Sequence, residues 1–369
     1  MIHETSRYAR RMAKLNRGDR VALLTSGGDA PGMNAALRAA TRVGLELGFE
    51  VVGVEDGYVG LLDGRIRALE VRALDEASRR GGTILGSARS KVFPTPDGQR
   101  RARDAIAAAN IRALLVIGGN GSLAGARTLR DVVAVGGVPA SIDNDLACSS
   151  MAIGVDTAMN TIVEAIDRIC DTATAHRRTF IVEVMGRDCG YLAMTSSVAA
   201  GADLVLLPET DKSEEAIVDQ VVHAMEAAYA KDSGKRRVLV VKAEGVKVES
   251  ARLKAAVDAK IGAKLKDVDT RVTVLGHVVR GGAPSAFDRL LGARLAHVAM
   301  RALAEGESDF MAGWFGPGIT RAPSAYDPYV VITPLADVLA ETARLMAGTS
   351  EIARWRRRIF EEVEPILAR

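Results

Sequence analysis

Short apolar runs alternate with longer amphipathic stretches along almost the whole chain. Apolar runs of strand length occur in segments such as DRVALLTS, RALLVIGG, GVPASID, TFIVEVMG and RVLVVKAEG. Helix-like spacing of apolar positions lies between them, in MNAALRAATRVGLELG, SLAGARTLRDVVA and SEEAIVDQVVHAMEAAYA. Strands buried on both faces are nearly continuous in apolar residues, because helices cover both sides of a parallel sheet. The pattern therefore predicts an α/β fold with parallel or mixed sheets in doubly wound, three-layer, Rossmann-like domains.

The number of strand–helix units favours two such domains over one. A chain of 369 residues is long enough for both. In open α/β sheets, ligands bind beyond the carboxyl ends of the strands. We therefore expect the chemistry of this protein at the turns that follow the apolar runs.

The composition is that of a globular protein without a dedicated nucleic-acid surface. Hydrophobic residues make up 48% and charged residues 26%, and 49 Lys and Arg against 46 Asp and Glu leave a net charge of +3. Nucleic-acid binders carry a concentrated basic face, so we expect no nucleic-acid partner. No apolar run approaches the roughly 18 residues of a membrane span, so we expect no membrane partner.

The sparse cysteines indicate a reducing compartment. Cys148, Cys170 and Cys189 form no C-x-x-C pair, and none has a histidine at zinc-ligand spacing. Residues 1–17 are basic but lack the apolar core of a secretory signal, which leaves an N-terminal arm or an organelle transit peptide as alternatives. We expect a cytoplasmic protein.

Three glycine-rich loops follow predicted strands. They are TSGGDAPGMN (25–34), GGTILGSARS (81–90) and VIGGNGS (116–122). Glycines without side chains let the backbone approach a phosphate, and the helix after the first loop offers free N–H groups. Taken alone, the first loop is also open to interpretation as a plain strand–helix turn. Three such loops together predict a ligand that carries several phosphates, with Arg89 as a cation beside it.

Two carboxylates follow another apolar run, in the segment SIDND (141–145). In an extended segment Asp143 and Asp145 point to the same side, because the side-chain period of a strand is two. One carboxylate can accept a proton from an attacking hydroxyl, and the other can help to hold Mg²⁺ or tune its neighbour. An Asx-rich surface turn is the alternative for the segment in isolation.

Arginines near strand ends in the second half suggest a separate phosphate site. HRRTFIVEVMGRDCG (176–190) and GHVVRGGAPSAFDR (276–289) contain several of them, and Glu244 ends another predicted strand. The guanidinium group presents a rigid, bidentate fork that suits phosphate. Any single one of these arginines is also compatible with a solvated surface charge.

These motifs, in this order, resemble the ATP-type 6-phosphofructokinase family. The likeness covers residues 20–300, and LTSGGDAPGMNAA, GGT-x-LGSAR, IDND, VEVMGR and GH-x-x-RGG-x-P-x-x-x-DR occur together. It implies two α/β domains with an active site in the cleft between them. It also implies an Mg²⁺-dependent transfer of the γ-phosphate of ATP to C1 of fructose 6-phosphate, a glycolytic step, in a homotetramer whose sugar-phosphate sites are shared between subunits.

The resemblance also implies domain bounds. The nucleotide-binding domain is expected over 1–155 and about 288–332, with residues 1–17 as a basic arm. The sugar-phosphate-binding domain is expected over 156–287 and about 333–369.

The resemblance implies a role for each matching residue. Asp143 corresponds to the general base, Asp145 to its partner carboxylate, and Arg187 and Arg89 to the groups that neutralise the transferred phosphoryl. The implied nucleotide-binding residues are Gly28, Tyr58, Arg89, Ser90, Asn120, Gly121 and Ser122. The implied substrate-binding residues are Ser141, Asp143, Met185, Gly186, Arg187, Glu244 and Arg289, with Arg178 and Arg280 lent across the subunit interface.

One departure from the family pattern concerns the metal. The family usually has an Asp that binds Mg²⁺ where this chain has Asn120, which keeps an oxygen ligand but loses the charge, so we expect weaker Mg²⁺ binding. The pyrophosphate-using branch has Asp at the position of Gly121 and Lys at that of Ala140, so both small residues here favour a nucleotide donor. A pyrophosphate donor, a different sugar-phosphate acceptor, or a catalytically weakened regulatory subunit remain alternatives, motivated by Asn120.

A second departure concerns regulation. Arg38, Arg42 and Asp203 match the family's bacterial effector site for ADP or phosphoenolpyruvate. Cys170 and Val71 stand where two further arginines of that site are expected. We therefore expect weak or altered allostery.

Overall fold

A computed structural model describes residues 10–176, 178–230, 234–262, 268–316 and 322–367. Within them the strands are β1 Arg10–Arg11, β2 Arg20–Ser26, β3 Glu50–Val54, β4 Ile66–Ala68, β5 Ile111–Gly118, β6 Ala134–Pro139, β7 Arg178–Val184, β8 Leu204–Leu206, β9 Val238–Ala243, β10 Asp269–Val274, β11 Glu307–Ser308, β12 Phe310–Trp314 and β13 Val330–Pro334.

The helices lie between these strands and at the C-terminal end. They are α1 Met33–Glu46, α2 Gly57–Leu62, α3 Val71–Ala77, α4 Pro96–Ala108, α5 Asn120–Arg127, α6 Val155–His176, α7 Tyr191–Ala200, α8 Glu214–Ala228, α9 Ser250–Ile261, α10 Ala286–Ala304, α11 Leu335–Met346 and α12 Glu351–Leu367. Two short 3₁₀ helices cover Pro208–Thr210 and Gly276–Arg280.

The chain divides into two compact units. Unit 1 contains Met1–Thr157 and Arg280–Arg344, and unit 2 contains Ala158–Val279 and Leu345–Arg369. The predicted α/β fold with parallel and mixed sheets is confirmed. The assignment of a nucleotide domain and a sugar-phosphate domain to sequence ranges stays a prediction.

Unit 1 is built on a seven-stranded mixed sheet in the order β13-β12-β6-β5-β2-β3-β4. The five central strands run parallel, whereas β13 and β4 pair antiparallel at the edges. The central strands β2, β5 and β6 are almost entirely buried. Each fully buried Leu, Ile or Val side chain there contributes about 1.5–3 kcal/mol relative to its exposed state. The rigid centre of this sheet fixes the carboxyl ends at which its loops begin.

Unit 2 is built on a four-stranded sheet in the order β10-β7-β9-β8, in which every pairing is parallel. All six residues of β9 are buried. Helices α8 and α9 each turn apolar residues toward this sheet, such as Val221 and Leu253. Because neighbouring side chains of a strand point to opposite faces, the burial of all six residues means that β9 is covered on both faces, which explains the continuous apolar run RVLVV.

The predicted basic arm is only partly described. Residues 1–9 lie outside the described residues, and Arg10–Arg11 pairs antiparallel with β11. Beyond this strand, Met12 N donates to Gly306 O at 2.8 Å and Leu15 N donates to Ala304 O at 3.2 Å. The segment from residue 10 to residue 15 is thus attached to unit 1 by backbone hydrogen bonds.

Candidate active site

A cavity of about 730 Å³ opens in unit 1 at the carboxyl ends of β2, β5 and β6. Eleven of the residues singled out from the sequence line it: Gly28, Tyr58, Arg89, Ser90, Asn120, Gly121, Ser122, Ser141, Asp143, Asp145 and Arg280. All three glycine-rich loops contribute to its wall. The position agrees with the rule that ligands bind beyond the carboxyl ends of parallel strands.

The first glycine-rich loop lines the cavity with backbone that carries no side chain. Gly27 has φ of +90°, which favours glycine, and allows the chain to turn directly after β2. A Cβ added to Gly28 would lie 2.7 Å from Nη1 of Arg280, which also donates to the carbonyl of Asp29 at 3.2 Å. Any side chain at Gly28 would therefore displace this guanidinium.

The second loop is held against the first by side chains of the same unit. Asn34 Oδ1 accepts a hydrogen bond from Ile84 N at 2.8 Å, and Thr25 Oγ1 donates to Gly86 O at 2.8 Å. Ser87 Oγ donates to Gly27 O at 2.5 Å. These bonds fix the backbone that precedes Arg89, whose exposed side chain lines the cavity.

The helix that begins at the cavity is α5, not α1. Gly119 is the N-cap of α5, so Asn120 and Gly121 form its first two positions and both line the cavity. The hydrogen bonds of α5 begin with Ser122 N and Leu123 N, which donate to Gly119 O at 3.0 and 3.1 Å. The N–H groups of Asn120 and Gly121 precede them, and the positive end of the helix dipole faces the cavity. The sequence pattern suggested this role for α1, but a six-residue loop separates α1 from β2.

The packing of the protein does not require a glycine at position 121. It lies within a helix, and a Cβ added there would meet no atom within 4 Å. The fold therefore accommodates a side chain at this position. The space beside Gly121 is part of the cavity and is available to a ligand.

An aromatic pair forms part of the wall behind α5. Tyr58 stacks on Phe93 with ring centroids 4.0 Å apart and an interplanar angle of 19°. The Tyr58 hydroxyl donates to Ser122 O at 2.6 Å, and burial raises the pKa of Tyr58, which keeps it protonated as a donor. Tyr58 was expected from the sequence, whereas Phe93 was missed because only the folded chain places it against Tyr58.

The segment 141–146 presents both aspartates to the cavity. Ser141, Asp143 and Asp145 are half-buried and line it, whereas Ile142, Asn144 and Leu146 are buried. The alternation predicted from the sequence is present, but the backbone is not an extended strand, since β6 ends at Pro139 and Asn144 has φ of +48°.

Asn144 stabilises this turn from the buried side. Its Nδ2 donates to Ser150 O at 3.1 Å, and its Oδ1 accepts from Ala152 N at 3.1 Å. Asn tolerates the left-handed conformation better than most residues. On the cavity side, Ser141 Oγ donates to Asp145 Oδ1 at 2.7 Å, which fixes the orientation of that carboxylate.

The donors at this cavity fit a magnesium ion that arrives with a polyphosphate. Asp143, Asp145 and the amide oxygen of Asn120 lie on its wall. Among the described residues, no cluster of three or more His, Cys, Asp or Glu could form a complete metal cage. Mg²⁺ is usually held by one or two carboxylates together with substrate phosphates and water, which matches this donor set.

A second group of expected residues lies in unit 2. Met185, Gly186 and Arg187 form a turn after β7, in which Gly186 has φ of +131°. Glu244 follows β9, and its N–H donates to Val184 O at 2.8 Å, while Gly245 N donates to Gly186 O at 3.2 Å. These bonds place the backbone of Glu244 beside the turn.

The remaining expected arginines are held by ion pairs or backbone contacts. Arg178 Nε lies 3.2 Å from Asp269 Oδ2, and the same carboxylate also pairs with Arg271. Sequence reasoning missed this shared ion pair. Arg289, on α10 in unit 1, donates from Nε to Pro284 O at 2.8 Å. It is absent from the described wall of the 730 Å³ cavity.

Arg289 follows a buried aspartate with a structural function. Asp288 is fully buried and accepts hydrogen bonds from Gly154 N and Thr157 N, each at 2.8 Å. It thereby ties the start of α6 to α10. Burial raises the pKa of Asp288, and hydrogen bonds from Thr157 and Gly154 oppose this shift.

The expected effector residues lie in both units. In unit 1, Arg38 and Arg42 both pair with Asp75, and hydrogen bonds from these two arginines lower the pKa of Asp75. In unit 2, Asp203 accepts from Lys235 Nζ and Leu239 N, each at 2.8 Å. Burial raises the pKa of Cys170, which favours its neutral thiol.

None of the helices in the described part of the chain combines the length and apolar character needed to cross a membrane.

Comparison with known proteins gives consistent matches. The sequence profile of the family described as "Phosphofructokinase" matches residues 20–303. The "ATP-dependent 6-phosphofructokinase" of Natranaerobius thermophilus is 46% identical over 298 residues, which cover 80% of this chain and 89% of that protein. The protein of the same name from Thermotoga neapolitana is 41% identical over 306 residues, 82% of this chain and 92% of that protein.

Solved structures resemble the chain as well. The phosphofructokinase of Pichia pastoris in the T-state superposes with a TM-score of 0.82 at 30% identity. The match covers 96% of this chain but 42% of that chain. A pyrophosphate-dependent phosphofructokinase from Marinobacter aquaeolei gives a TM-score of 0.73 at 20% identity, covering 87% of this chain and 83% of that one. At this identity the second likeness concerns the fold alone.

Proposed function

The chain belongs to the phosphofructokinase family, and we propose that it is an ATP-dependent 6-phosphofructokinase. The reaction transfers the γ-phosphoryl group of ATP to the C1 hydroxyl of fructose 6-phosphate, giving fructose 1,6-bisphosphate and ADP. We assign it to glycolysis in the cytoplasm.

The observation that supports this proposal most strongly is the composition of one cavity wall. Asp143 and Asp145 line the same cavity as the glycine-rich loops and the first residues of α5. Exposed backbone N–H groups and a helix N-terminus suit a polyphosphate, while carboxylates repel one. A carboxylate beside a phosphate site therefore has a chemical use, such as accepting a proton during phosphoryl transfer.

Asp143 is the base in our proposed mechanism. Its carboxylate takes the proton from the C1 hydroxyl as that oxygen forms a bond to the γ-phosphorus. The bond between the γ-phosphorus and the β–γ bridging oxygen breaks, and ADP leaves with that oxygen. Asp145, whose Oδ1 accepts from Ser141, stays oriented as the second carboxylate.

Negative charge on the transferred group is stabilised by fixed dipoles and cations. The N-terminus of α5 and the side chain of Arg89 line the cavity, where we expect the phosphates. We propose that Arg187, at the turn after β7 in unit 2, adds a second guanidinium. Such preorganised electrostatics provide most of the catalysis in phosphoryl transfer.

In this proposal Asn120 and Asp145 would hold Mg²⁺, because the carboxylate of Asp143 accepts the proton of the C1 hydroxyl. Mg²⁺ held there would offset the negative charge of the phosphates. Because Asn120 contributes a neutral amide oxygen, the protein's own share of the metal's ligand charge is smaller than with a second carboxylate.

The donor is ATP rather than pyrophosphate because the cavity remains open where a nucleotide continues. Gly121 has no side chain and faces open space, and Ala140 is small and lines the cavity. An Asp at position 121 would add volume and negative charge where the α-phosphate is expected.

We assign fructose 6-phosphate to Met185, Gly186, Arg187 and Glu244 of unit 2, with Arg289 as a further ligand. In a homotetramer, Arg178 would be lent to the site of a neighbouring subunit. We propose that Arg280 is lent in the same way, and in the single chain it lines the described cavity wall.

The test of the base is Asp143→Asn. We expect kcat for fructose 6-phosphate and ATP to fall by about 10³-fold, because the amide cannot accept the proton in the transition state. Calorimetric binding of fructose 6-phosphate and the melting temperature should change little. If steady-state assays find a loss smaller than about tenfold, Asp143 is not the general base.

A further inference from the structure

Unit 2 contains a fully buried lysine in an otherwise apolar strand. Lys242 is 1% exposed, within the six buried residues of β9. Its Nζ lies 2.9 Å from Glu183 Oε2, and the two residues are register partners on the parallel strands β9 and β7. A lysine ammonium without water is strongly disfavoured unless it is paired, so the Glu183 carboxylate is what holds this charge in the sheet.

The same carboxylate oxygen accepts a second bond. Ser250 Oγ, in the first turn of α9, also donates to Glu183 Oε2. Lys242 and Ser250 stand just before and just after the segment 243–249. Both ends of this segment are therefore fixed to one oxygen atom of β7.

The segment 243–249 carries Glu244, the proposed sugar-phosphate ligand. Glu244 N donates to Val184 O at 2.8 Å, and Gly245 N donates to Gly186 O at 3.2 Å. A Cβ added to Gly245 would lie 1.7 Å from Arg187 O, so the two backbones are in close contact. Any shift of this segment must move Glu244 relative to Met185, Gly186 and Arg187.

Stability alone gives no reason for this arrangement. A buried ion pair costs several kcal/mol per ion in desolvation, and well-packed apolar residues of similar volume are often equally stable. Glu183, Lys242 and Ser250 form a hydrogen-bonded triad in which β9 and α9 each supply one donor. Such a triad defines a single geometry, since displacement of any member leaves a buried charge or polar group unsatisfied.

We propose that Glu183 is a positioning residue for fructose 6-phosphate, acting through Lys242 and Ser250 on Glu244. The inference rests on the proposed function for the identity of the sugar phosphate. Glu183 itself is not assigned contact with substrate.

The mildest test removes one bond at the edge of the triad. We expect Ser250→Ala to raise KM for fructose 6-phosphate about fivefold, the loss of one hydrogen bond worth about 1 kcal/mol, while KM for ATP and kcat stay within about twofold. Ser250→Thr keeps the hydroxyl and should restore KM. The matched control is Ser213→Ala, which removes the serine that caps α8 in the same unit through Ala216 N.

Ser213→Ala should lower the melting temperature at least as much as Ser250→Ala, yet leave KM for fructose 6-phosphate unchanged. Equal KM values in the two alanine variants would overturn the inference. A second variant, Glu183→Leu with Lys242→Met, removes both charges together. It should have a higher KM for fructose 6-phosphate than the wild type, even if its melting temperature equals that of the wild type.

Calorimetry of fructose 6-phosphate separates this inference from the proposed function. If the wild type binds the sugar phosphate but does not phosphorylate it, the proposed function fails. The inference is then judged on affinity alone, with about fivefold weaker binding expected for Ser250→Ala and unchanged binding contradicting it. Absence of binding to the wild type would overturn both.

Discussion

At the scale of single residues, Asn120 is the feature with the most defined chemical consequence. It is exposed at the first position of α5, on the wall that also carries Asp143 and Asp145. An amide at this position presents an oxygen without a charge. We therefore expect Asn120 to affect the concentration of free Mg²⁺ that the reaction requires.

We expect Asn120→Asp to lower the Mg²⁺ concentration for half-maximal turnover about fivefold, because one added charge near a dication in a solvated site contributes on the order of 1 kcal/mol. Initial rates at fixed ATP and varied Mg²⁺ measure this shift. The matched control is Asn110→Asp, which adds the same charge on an exposed residue just before the opposite end of β5. An unchanged Mg²⁺ requirement in Asn120→Asp would place residue 120 away from the metal.

At the scale of elements, the turn after β6 determines where Asp143 and Asp145, the carboxylates proposed for catalysis, point. Its backbone leaves the sheet at Pro139, and the buried side chain of Asn144 bonds to both Ser150 and Ala152. The aspartates at 143 and 145 flank this residue. Their orientation thus depends on a buried amide that does not itself line the described cavity wall.

We predict that Asn144→Ala lowers the free energy of unfolding by about 2–4 kcal/mol, since two buried partners lose their bonds and Ala must adopt a left-handed conformation. We also expect kcat to fall, because Asp143 loses its fixed orientation. Chemical denaturation and steady-state kinetics measure the two effects.

Asn110→Ala isolates the backbone contribution to that loss. Asn110 has φ of +51° but is exposed, and its side chain makes no hydrogen bond within the described residues. Its substitution should cost about 1–2 kcal/mol and leave kcat unchanged. An equal loss in both variants would mean that the bonds of Asn144 contribute nothing.

The sequence pattern predicted most elements, but not their ends or long-range contacts. Continuous apolar runs located β2, β5, β7 and β9, because burial on both faces leaves a strong local signal. The helix expected over SLAGARTLRDVVA instead begins at Asn120 and ends at Arg127. Just past that end, the Thr128 hydroxyl donates to Gly125 O at 2.7 Å, a local bond that competes with helical pairing.

The candidate site was predictable to a similar degree. The first and third glycine-rich loops and the paired aspartates are local motifs, and they meet at one cavity because strand ends converge at a sheet edge. The second loop follows α3 and not a strand, so the expectation that it ends a strand was wrong, and hydrogen bonds to the first loop bring it to the cavity. The stack of Phe93 on Tyr58 and the shared Glu183 oxygen depend on residues distant in sequence. No periodicity of the chain encodes such contacts.

At the scale of the whole molecule, the effector residues bear on regulation. Arg38 and Arg42 are already paired with Asp75 in unit 1, and burial in unit 2 raises the pKa of Cys170, which favours its neutral thiol. A diphosphate would have to compete with the Asp75 carboxylate for both guanidiniums. We therefore predict a weak electrostatic attraction between these residues and a phosphorylated effector.

We expect ADP to change the fructose 6-phosphate concentration for half-maximal rate by less than about fivefold, the lower end of typical allosteric coupling. Saturation curves at fixed MgATP, with and without ADP, measure this coupling. Activation by ADP of tens of fold would contradict the expectation of weak allostery.

The most direct test of the proposed function compares phosphoryl donors in the purified protein. Steady-state turnover of fructose 6-phosphate is measured with ATP or with pyrophosphate, at varied Mg²⁺. We predict turnover with ATP, and a kcat/KM for pyrophosphate at least about 10²-fold lower, because Gly121 and Ala140 leave room for a nucleotide. Turnover with pyrophosphate alone, or with neither donor, would contradict the assignment as an ATP-dependent 6-phosphofructokinase.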